Sequence, residues 1–495
     1  MNLADTPACP GNPRPAYSRI MAAREYDLIV IGAGAVGENV ADYATKGGLS
    51  AVIVEAELVG GECSYWACMP SKGLLRAGAA LRAARAVDGA KQAVTGEVDA
   101  AGAFARRTVL THDWDDSSQA DWLASAKIDL VRGHAHFTGE RAITVTTADG
   151  EVELLARHAV TVSTGSDALV PDIPGLADID PWVSRDATSA TEAPESLAIL
   201  GGGVVACEMA TAYSSFGTKV TLLVRGDALL AGQEPFAGEA VRKSLEKAGV
   251  TIRTGVEVTK AHRTEQNAVL DLSDGGKVVA AQVLVATGRT PRTHGLGLEA
   301  IGLTSGDWLE VDDTLRVKGY DWLYATGDVN HRVLLTHQGK YQARAAGDVI
   351  AARAAGRRVE DAPWGRHVAT ADHEVVPQVT FTDPEVASVG LTAEQAGRTG
   401  KNIRVIDYDL SWIAGASAHA DDYEGHARAI IDEDRQVLLG VTFVGPDVAE
   451  MIQAATIAIV GEVPLSRLWH AVPAYPTVNE VWLRFLETYG REESA

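Results

Sequence analysis

Cysteine is scarce in this chain: four among 495 residues, at positions 9, 63, 68 and 207. So few cannot staple a disulfide scaffold, and a chain of this length builds its own cores, two to four of them at ordinary domain sizes. Long apolar runs are missing as well. None approaches the ~20 residues that cross a bilayer, so no membrane span is expected. Cations are in deficit, 44 Lys and Arg against 66 Asp and Glu, a formal charge of −22. Such a surface repels phosphodiester backbones and anionic lipid, so neither nucleic acid nor a membrane is expected as a partner. The opening residues lack the apolar centre of a signal peptide. They read as a flexible leader over 1–24, with Met21 a candidate start, and the protein is expected to be cytoplasmic.

What remains is a soluble globular composition, 46 % apolar and 22 % charged, and it carries a repeated signature. "YDLIVIGAGAVGENVADYATKGGLSAVIVEAE" runs from a strand pattern at Leu28–Ile31 through Gly32, Gly34 and Gly37 into a helix, then into a second strand ending at Glu55. The first glycine permits a tight turn, the second admits a pyrophosphate to the backbone, and the third lets helix and strand pack closely. The helix N-terminus offers free N–H groups to the phosphates. Glu55 stands where a carboxylate accepts hydrogen bonds from a ribose diol.

The pattern recurs in "SLAILGGGVVACEMATAYSSFGTKVTLLVRGD", with Gly201, Gly203 and Ala206 at the three small positions. Two such units imply two dinucleotides and electron traffic between them. Here Val224 replaces the acid that favours NAD, and Arg225 is placed to receive a 2′-phosphate, so NADPH is expected over NADH. Cys207 follows the small packing residue and reads as a core hydrophobe.

Cys63 and Cys68 lie in "GGECSYWACMPSK" without a second cysteine pair nearby, which disfavours zinc. In an ideal helix, residues five apart are roughly 8.6 Å apart between Cα atoms. A disulfide tolerates about 7 Å at most. A redox pair therefore needs a distorted turn, and Gly60, Gly61 and Pro70 are the residues that would allow one. Thiols near a helix start also have lowered pKa values. The acid-rich stretch 111–123 reads as a solvated helix start with Asp and Ser as candidate caps.

From Tyr26 onward the chain resembles the flavin-dependent pyridine nucleotide–disulfide oxidoreductases, a family that includes dihydrolipoamide dehydrogenase, glutathione reductase and mercuric reductase. "GGECSYWACMPSK" resembles the redox-active stretch, "VSTGSDALVPDIPG" and "LVATGRTPRT" the two crossover motifs, "LYATGDV" the second flavin motif, and "VPQVTFTDPEVASVGLT" the opening of the dimerisation domain. The resemblance implies an α/β fold with two Rossmann-like domains, for FAD and NAD(P), and a C-terminal α+β dimerisation domain in a homodimer. The implied domains are FAD-binding over 25–185 and 296–375, NAD(P)-binding over 186–295, and dimerisation over 376–495. It implies that Cys68 faces the flavin and Cys63 attacks the substrate. Lys72 pairs with Glu208 beside the nicotinamide, and Asp328 binds the ribityl chain. Gly61, Thr164, Gly165 and Gly288 line the cofactors, and Ala135 meets the adenine by its backbone. No metal ligand set is implied.

One stretch departs from the family. Where relatives read His-Pro-Thr-x-x-Glu, this chain reads "AYPTVNE": Glu480 is kept, Tyr475 replaces the His, and His470 is out of register. A phenol titrates near 10 and an imidazole near 6.5, so Tyr475 is a poor base at neutral pH. The chain also ends without the C-terminal cysteine pair of mercuric reductases. An NAD(P)H-dependent reductase of a disulfide or dithiol-reactive substrate, a diaphorase-like reductase of quinones or metals, and a non-catalytic flavin-bound scaffold are all compatible with this end. The paired Cys63/Cys68 and Lys72/Glu208 argue against the scaffold.

Overall fold

Residues 23–491 are described in a computed structural model. All but the last two residues of the expected leader, 1–24, lie outside them, and Arg24 already belongs to the first strand. That strand, β1 (Arg24–Ile31), leads into helix α1 (Ala35–Lys46) and strand β2 (Ala51–Glu55). β1 and β2 pair in parallel, Leu28 opposite Ala51 and Ile31 opposite Val54.

After the five-residue helix α2 (Gly61–Tyr65), the 18-residue helix α3 (Cys68–Arg85) and further helical segments, the chain returns as β3 (Ile128–Arg132), β4 (His134–Gly139), β5 (Ala142–Thr147) and β6 (Gly150–Val162). The sheet order is β3-β2-β1-β6-β5-β4, and a late strand, Leu323–Ala325, joins it beside β6. β1 is apolar at consecutive positions because it is buried on both faces, as central parallel strands are. Ile29 and Ile31 pack with Val52, Val54 and Val160 on one side, whereas Leu28 and Val30 meet α1 and the helix Thr336–Ala354 on the other.

A second parallel sheet contains Ser196–Leu200, Lys219–Val224, Thr251–Thr254 and Gln282–Val285, with a three-stranded antiparallel layer over one face. The C-terminal part is a five-stranded antiparallel sheet covered by helices, with Phe443 and Val441 at its core. The fold is therefore α/β with two dinucleotide-type units and an α+β end.

The stretch 111–123 is the solvated helix start expected: most of it is exposed, and Asp115 accepts from the amide of Ser117, the first helical residue, at 2.8 Å. A helix does begin at Ser117, but its N-cap residue Asp116 makes no side-chain cap. Asp116 is buried, accepts from the Val59 amide at 2.7 Å and binds Arg132 through both oxygens. Its carboxylate serves the loop before the redox segment instead of its own helix.

Helices α1 and Thr336–Ala354 lie side by side and parallel, with glycine at their contacts. A Cβ on Gly339 would come 2.6 Å from Val36 Cγ2, and one on Gly47 2.4 Å from the Ala351 Cβ. Between them, a Cβ on Gly347 would meet the Tyr43 Cβ at 2.6 Å and the Val40 carbonyl oxygen at 2.8 Å. None of these atoms is the end of a flexible side chain, so Gly347→Ala must push the helices apart. The crowding costs about 1–3 kcal/mol, against at most ~1 kcal/mol gained from helix propensity. Gly347→Ala is expected to lower the denaturation midpoint, whereas Gly397→Ala, in open space within the helix Ala393–Arg398, leaves it level or higher. Equal midpoints for the two variants would show that the seam is not tight.

Candidate active site

The first glycine-rich turn is built by backbone contact. Gly32 has φ +102°, and a Cβ there would lie 2.5 Å from the Ser163 carbonyl oxygen at the end of β6. A Cβ on Gly37 would lie 1.9 Å from the Gly32 carbonyl oxygen. Gly34 precedes α1 in extended geometry, and no side chain caps that helix, so its first amides are free for a ligand. Glu55 ends β2 with one oxygen accepting from the Ala33 amide at 2.6 Å and the other from Glu57 at 2.7 Å. Burial pushes its pKa up. A carboxylate has about four acceptor sites, so it retains two for a diol.

Other expected cofactor residues surround this turn. Thr164 Oγ1 is buried without a partner among the described residues, and Gly165 follows at φ +75°. Asp328 emerges just after Gly327 and accepts from Ser166 Oγ at 2.6 Å. Ala135 is buried in β4 opposite Val145. An orphaned hydroxyl, uncapped amides and a cradle that any Cβ would fill suit a flavin dinucleotide.

The second unit repeats the geometry. Gly201 has φ +127°, and a Cβ there would lie 2.3 Å from the Ala286 carbonyl oxygen. Gly203 borders open space, and Ala206 is fully buried at the third small position. Val224 ends its strand inside the core, while Arg225 is exposed and has no ion pair or hydrogen bond among the described residues. Gly288, at φ +155°, accepts from the Leu169 amide at 2.9 Å.

The redox stretch docks onto the first turn. Gly60 donates to the Ala33 carbonyl at 2.7 Å, and a Cβ on Gly61 would sit 2.7 Å from the Gly34 Cα. Cys63 lies in α2 and Cys68 opens α3. The distortion between them is not where the glycines and proline place it. It falls at Trp66 and Ala67, whose φ/ψ of −134°/−7° and −127°/−91° leave the helical region. The Glu62 carbonyl accepts from both Trp66 and Ala67, at 2.8 and 2.7 Å, so the turn is wide enough to bring residues five apart together.

Cys63, Cys68 and Cys207 are free thiols among the described residues, and Cys207 is wholly buried as a core residue. Cys63 and Cys68 are hydrogen-bonded neighbours, and the Cys68 sulfur also lies 3.3 Å from Thr336 Oγ1. The Cys63 bond, then Thr336 and positive Lys72, draw the Cys68 thiol below its ordinary range despite burial. The same bond and burial push Cys63 well above it. One sulfur is thus poised as thiolate and the other holds the proton.

Lys72 Nζ donates to Glu208 Oε2 at 2.8 Å and lies 4.6 Å from the Phe381 ring centroid. Glu208 is buried, and its other oxygen accepts from the Phe381 amide at 3.0 Å. This ion pair joins α3, the second unit and the C-terminal part. Tyr475 and Glu480 are not brought to the cysteines within the chain. Tyr475 is 75 % exposed, and Glu480 is buried with Oε2 unpartnered among the described residues and Oε1 3.5 Å from Arg484. His470 is exposed.

Sequence reasoning missed Thr336 and Phe381. Thr336 opens a 19-residue helix with no side-chain cap, and that helix start points at the thiols. Its one signal is the abrupt turn from "LYATGDV" to an alanine-rich run.

Comparison with known proteins agrees with this construction. The model of the pyridine nucleotide-disulphide oxidoreductase family matches residues 26–347, and that of its dimerisation domain matches 376–484. A dihydrolipoyl dehydrogenase of Chlorobaculum tepidum is 32 % identical over 92 % of this chain and 96 % of its own length. A mercuric reductase of Staphylococcus aureus is 30 % identical over 92 % of this chain and 81 % of its own. The structure of the HOCl-induced flavoprotein disulfide reductase RclA from Escherichia coli, solved as a Cu(II) complex, superposes with a TM-score of 0.81 at 24 % identity. It covers 94 % of this chain and 99 % of the other. With two dinucleotide turns, a paired-thiol helix start between them and a matching C-terminal sheet, the chain belongs to the class I pyridine nucleotide–disulfide oxidoreductases, enzymes that use FAD and NAD(P)H.

Proposed function

We propose that this enzyme oxidises NADPH and passes the electrons to a disulfide or dithiol-reactive acceptor through Cys63 and Cys68. The observation that carries this reading is the thiol pair itself, one sulfur lowered and one raised, beside Thr336 and the Lys72–Glu208 pair. The flavin, when bound, supplies the two-electron relay between nicotinamide and sulfur. Gly32, Gly34, Gly61, Thr164, Gly165, Glu55, Ala135 and Asp328 would hold it, in a domain formed by 25–185 and 296–375. Gly201, Gly203, Ala206, Arg225 and Gly288 would hold the nicotinamide nucleotide, in a domain over 186–295. Lys72 and Glu208 neutralise each other and keep the local charge steady.

A homodimer formed through 376–495 completes the reading. Val472, Tyr475, Ile457 and Trp412 are exposed apolar side chains there, 86, 75, 60 and 73 % accessible. Their burial against a second copy would bring Tyr475 to the partner's thiols. A cytoplasmic setting, where thiols stay reduced, suits the pair.

The second reading, a diaphorase-like reductase of quinones or soft metals, draws on Tyr475. Cys63 must lose its proton as it attacks an acceptor, and a phenol is a poorer general base at neutral pH than an imidazole. Screening lipoamide, glutathione disulfide, quinones and mercuric ion under NADPH and NADH separates the two.

Arg225→Ala is expected to raise KM for NADPH about tenfold and leave KM for NADH nearly level, since a charged hydrogen bond to phosphate is worth about 1.5–3 kcal/mol. Parallel changes for both nucleotides would remove Arg225 from the phosphate site. Tyr475→His is expected to raise the ratio of disulfide to quinone turnover by about tenfold or more, because it restores an imidazole near neutral pH. Brisk wild-type turnover of lipoamide or glutathione disulfide would show that another group moves the proton.

A further inference from the structure

The wide turn between Cys63 and Cys68 is held from outside. In a continuous helix the Trp66 carbonyl would accept from the amide four residues on, but that residue is Pro70, which has no N–H. The orphan carbonyl is instead satisfied by Thr188 Oγ1, at 2.7 Å its shortest contact. Thr188 lies in the short helix Ser184–Ser189, between the two dinucleotide units. One turn earlier on that helix, Arg185 lies with its guanidinium 4.1 Å from the Trp66 ring centroid. Its Nε donates to Glu62 Oε2 at 2.7 Å, and its two terminal nitrogens bind the Glu57 carboxylate at 2.9 Å each.

The clamp therefore grips the residue before Cys63 and the residue two before Cys68. Its own footing is rigid. Tyr213, fully buried, donates to the Ala187 carbonyl at 2.6 Å, and buried Arg107 binds the Thr188 and Ala190 carbonyls. Glu57 is shared with Arg292, which also pairs with Asp167.

We propose that Arg185, with Thr188, is a positioning residue for the redox pair: it holds the wide turn so that the two sulfurs stay in bonding reach, and so favours the disulfide. Reduction breaks the Cys63–Cys68 bond with two electrons, drawn from NAD(P)H, and one proton. The proton stays on Cys63 and the negative charge on Cys68. Sulfurs held together reclose with little loss of chain entropy, whereas a loosened turn must find the geometry anew. Releasing the clamp makes the dithiol easier to keep and the disulfide easier to reduce.

This inference rests on reading Cys63 and Cys68 as the redox pair, and the test separates the two. Purified holoenzyme is equilibrated in dithiothreitol redox buffers, quenched with an alkylating reagent, and scored by mass for the Cys63–Cys68 bond. Wild type should show a two-electron transition. In Arg185→Ala the midpoint ratio should shift at least tenfold toward dithiol, about 30 mV. Arg185→Lys keeps the charge but loses the stack and the fork, and should not restore it. Thr188→Val should shift about threefold in the same direction, an order-of-magnitude estimate for one neutral hydrogen bond. A wild type without any transition would end the redox reading and the clamp together. A normal wild type with Arg185→Ala within twofold of it would overturn the clamp alone. Should Arg185→Ala fail to give folded holoenzyme, Arg185→Lys and Thr188→Val both within twofold would overturn it equally.

Discussion

The site depends on one backbone contact, the approach of Gly60–Gly61 to the first dinucleotide turn. Gly34 and Gly60 bridge like neighbouring strands, and a single Cβ on Gly61 would stand 2.7 Å from Gly34 Cα. No side chain fits between chains so close, so the loop that enters the thiol helix meets the cofactor turn through main chain. Positions fixed in this way resist the drift that flexible side chains allow. The Asp116 carboxylate secures the same loop one residue earlier, at the Val59 amide.

From that contact the rest follows by addition. The parallel seam between α1 and the helix Thr336–Ala354 brings two uncapped helix starts to the same side of the first sheet. Each start carries a partial positive charge and unpaired amides. One serves the cofactor turn, and the other presents Thr336 to Cys68. The Lys72–Glu208 pair then ties this face to the second unit. A buried ion pair is weak evidence for stability, because desolvation offsets its Coulomb energy. Glu208 accepts a further amide bond from Phe381, which makes the pair a fixed reference of position across three parts of the chain.

Much of this was legible in the residues. Both glycine-rich turns, the acid ending β2 and the two cysteines stand in the structure at the strand, turn and helix positions that the sequence pattern gives them. The glycines announce themselves because φ values such as +102° at Gly32 and +127° at Gly201 exclude most side chains. The clamp was not legible. Nothing local in "SRDATS" says that Arg185 and Thr188 will meet a carbonyl and a ring more than a hundred residues away. The misplaced distortion has the same origin. Pro70 does shape the turn, but by withdrawing a donor from Trp66 and not by bending the chain at its own position.

The two ends of the electron path are therefore specified differently. On the donor side, chemistry is common to the family and is written in main-chain geometry, which tolerates few residues. On the acceptor side as proposed, Tyr475 is exposed within the chain, and Glu480 keeps one buried oxygen without a partner among the described residues. A buried carboxylate oxygen left unpaired is costly, and a second copy that supplied a donor would remove the cost. Val472 and Tyr475, 86 and 75 % accessible, are exposed on the stretch that leads to Glu480.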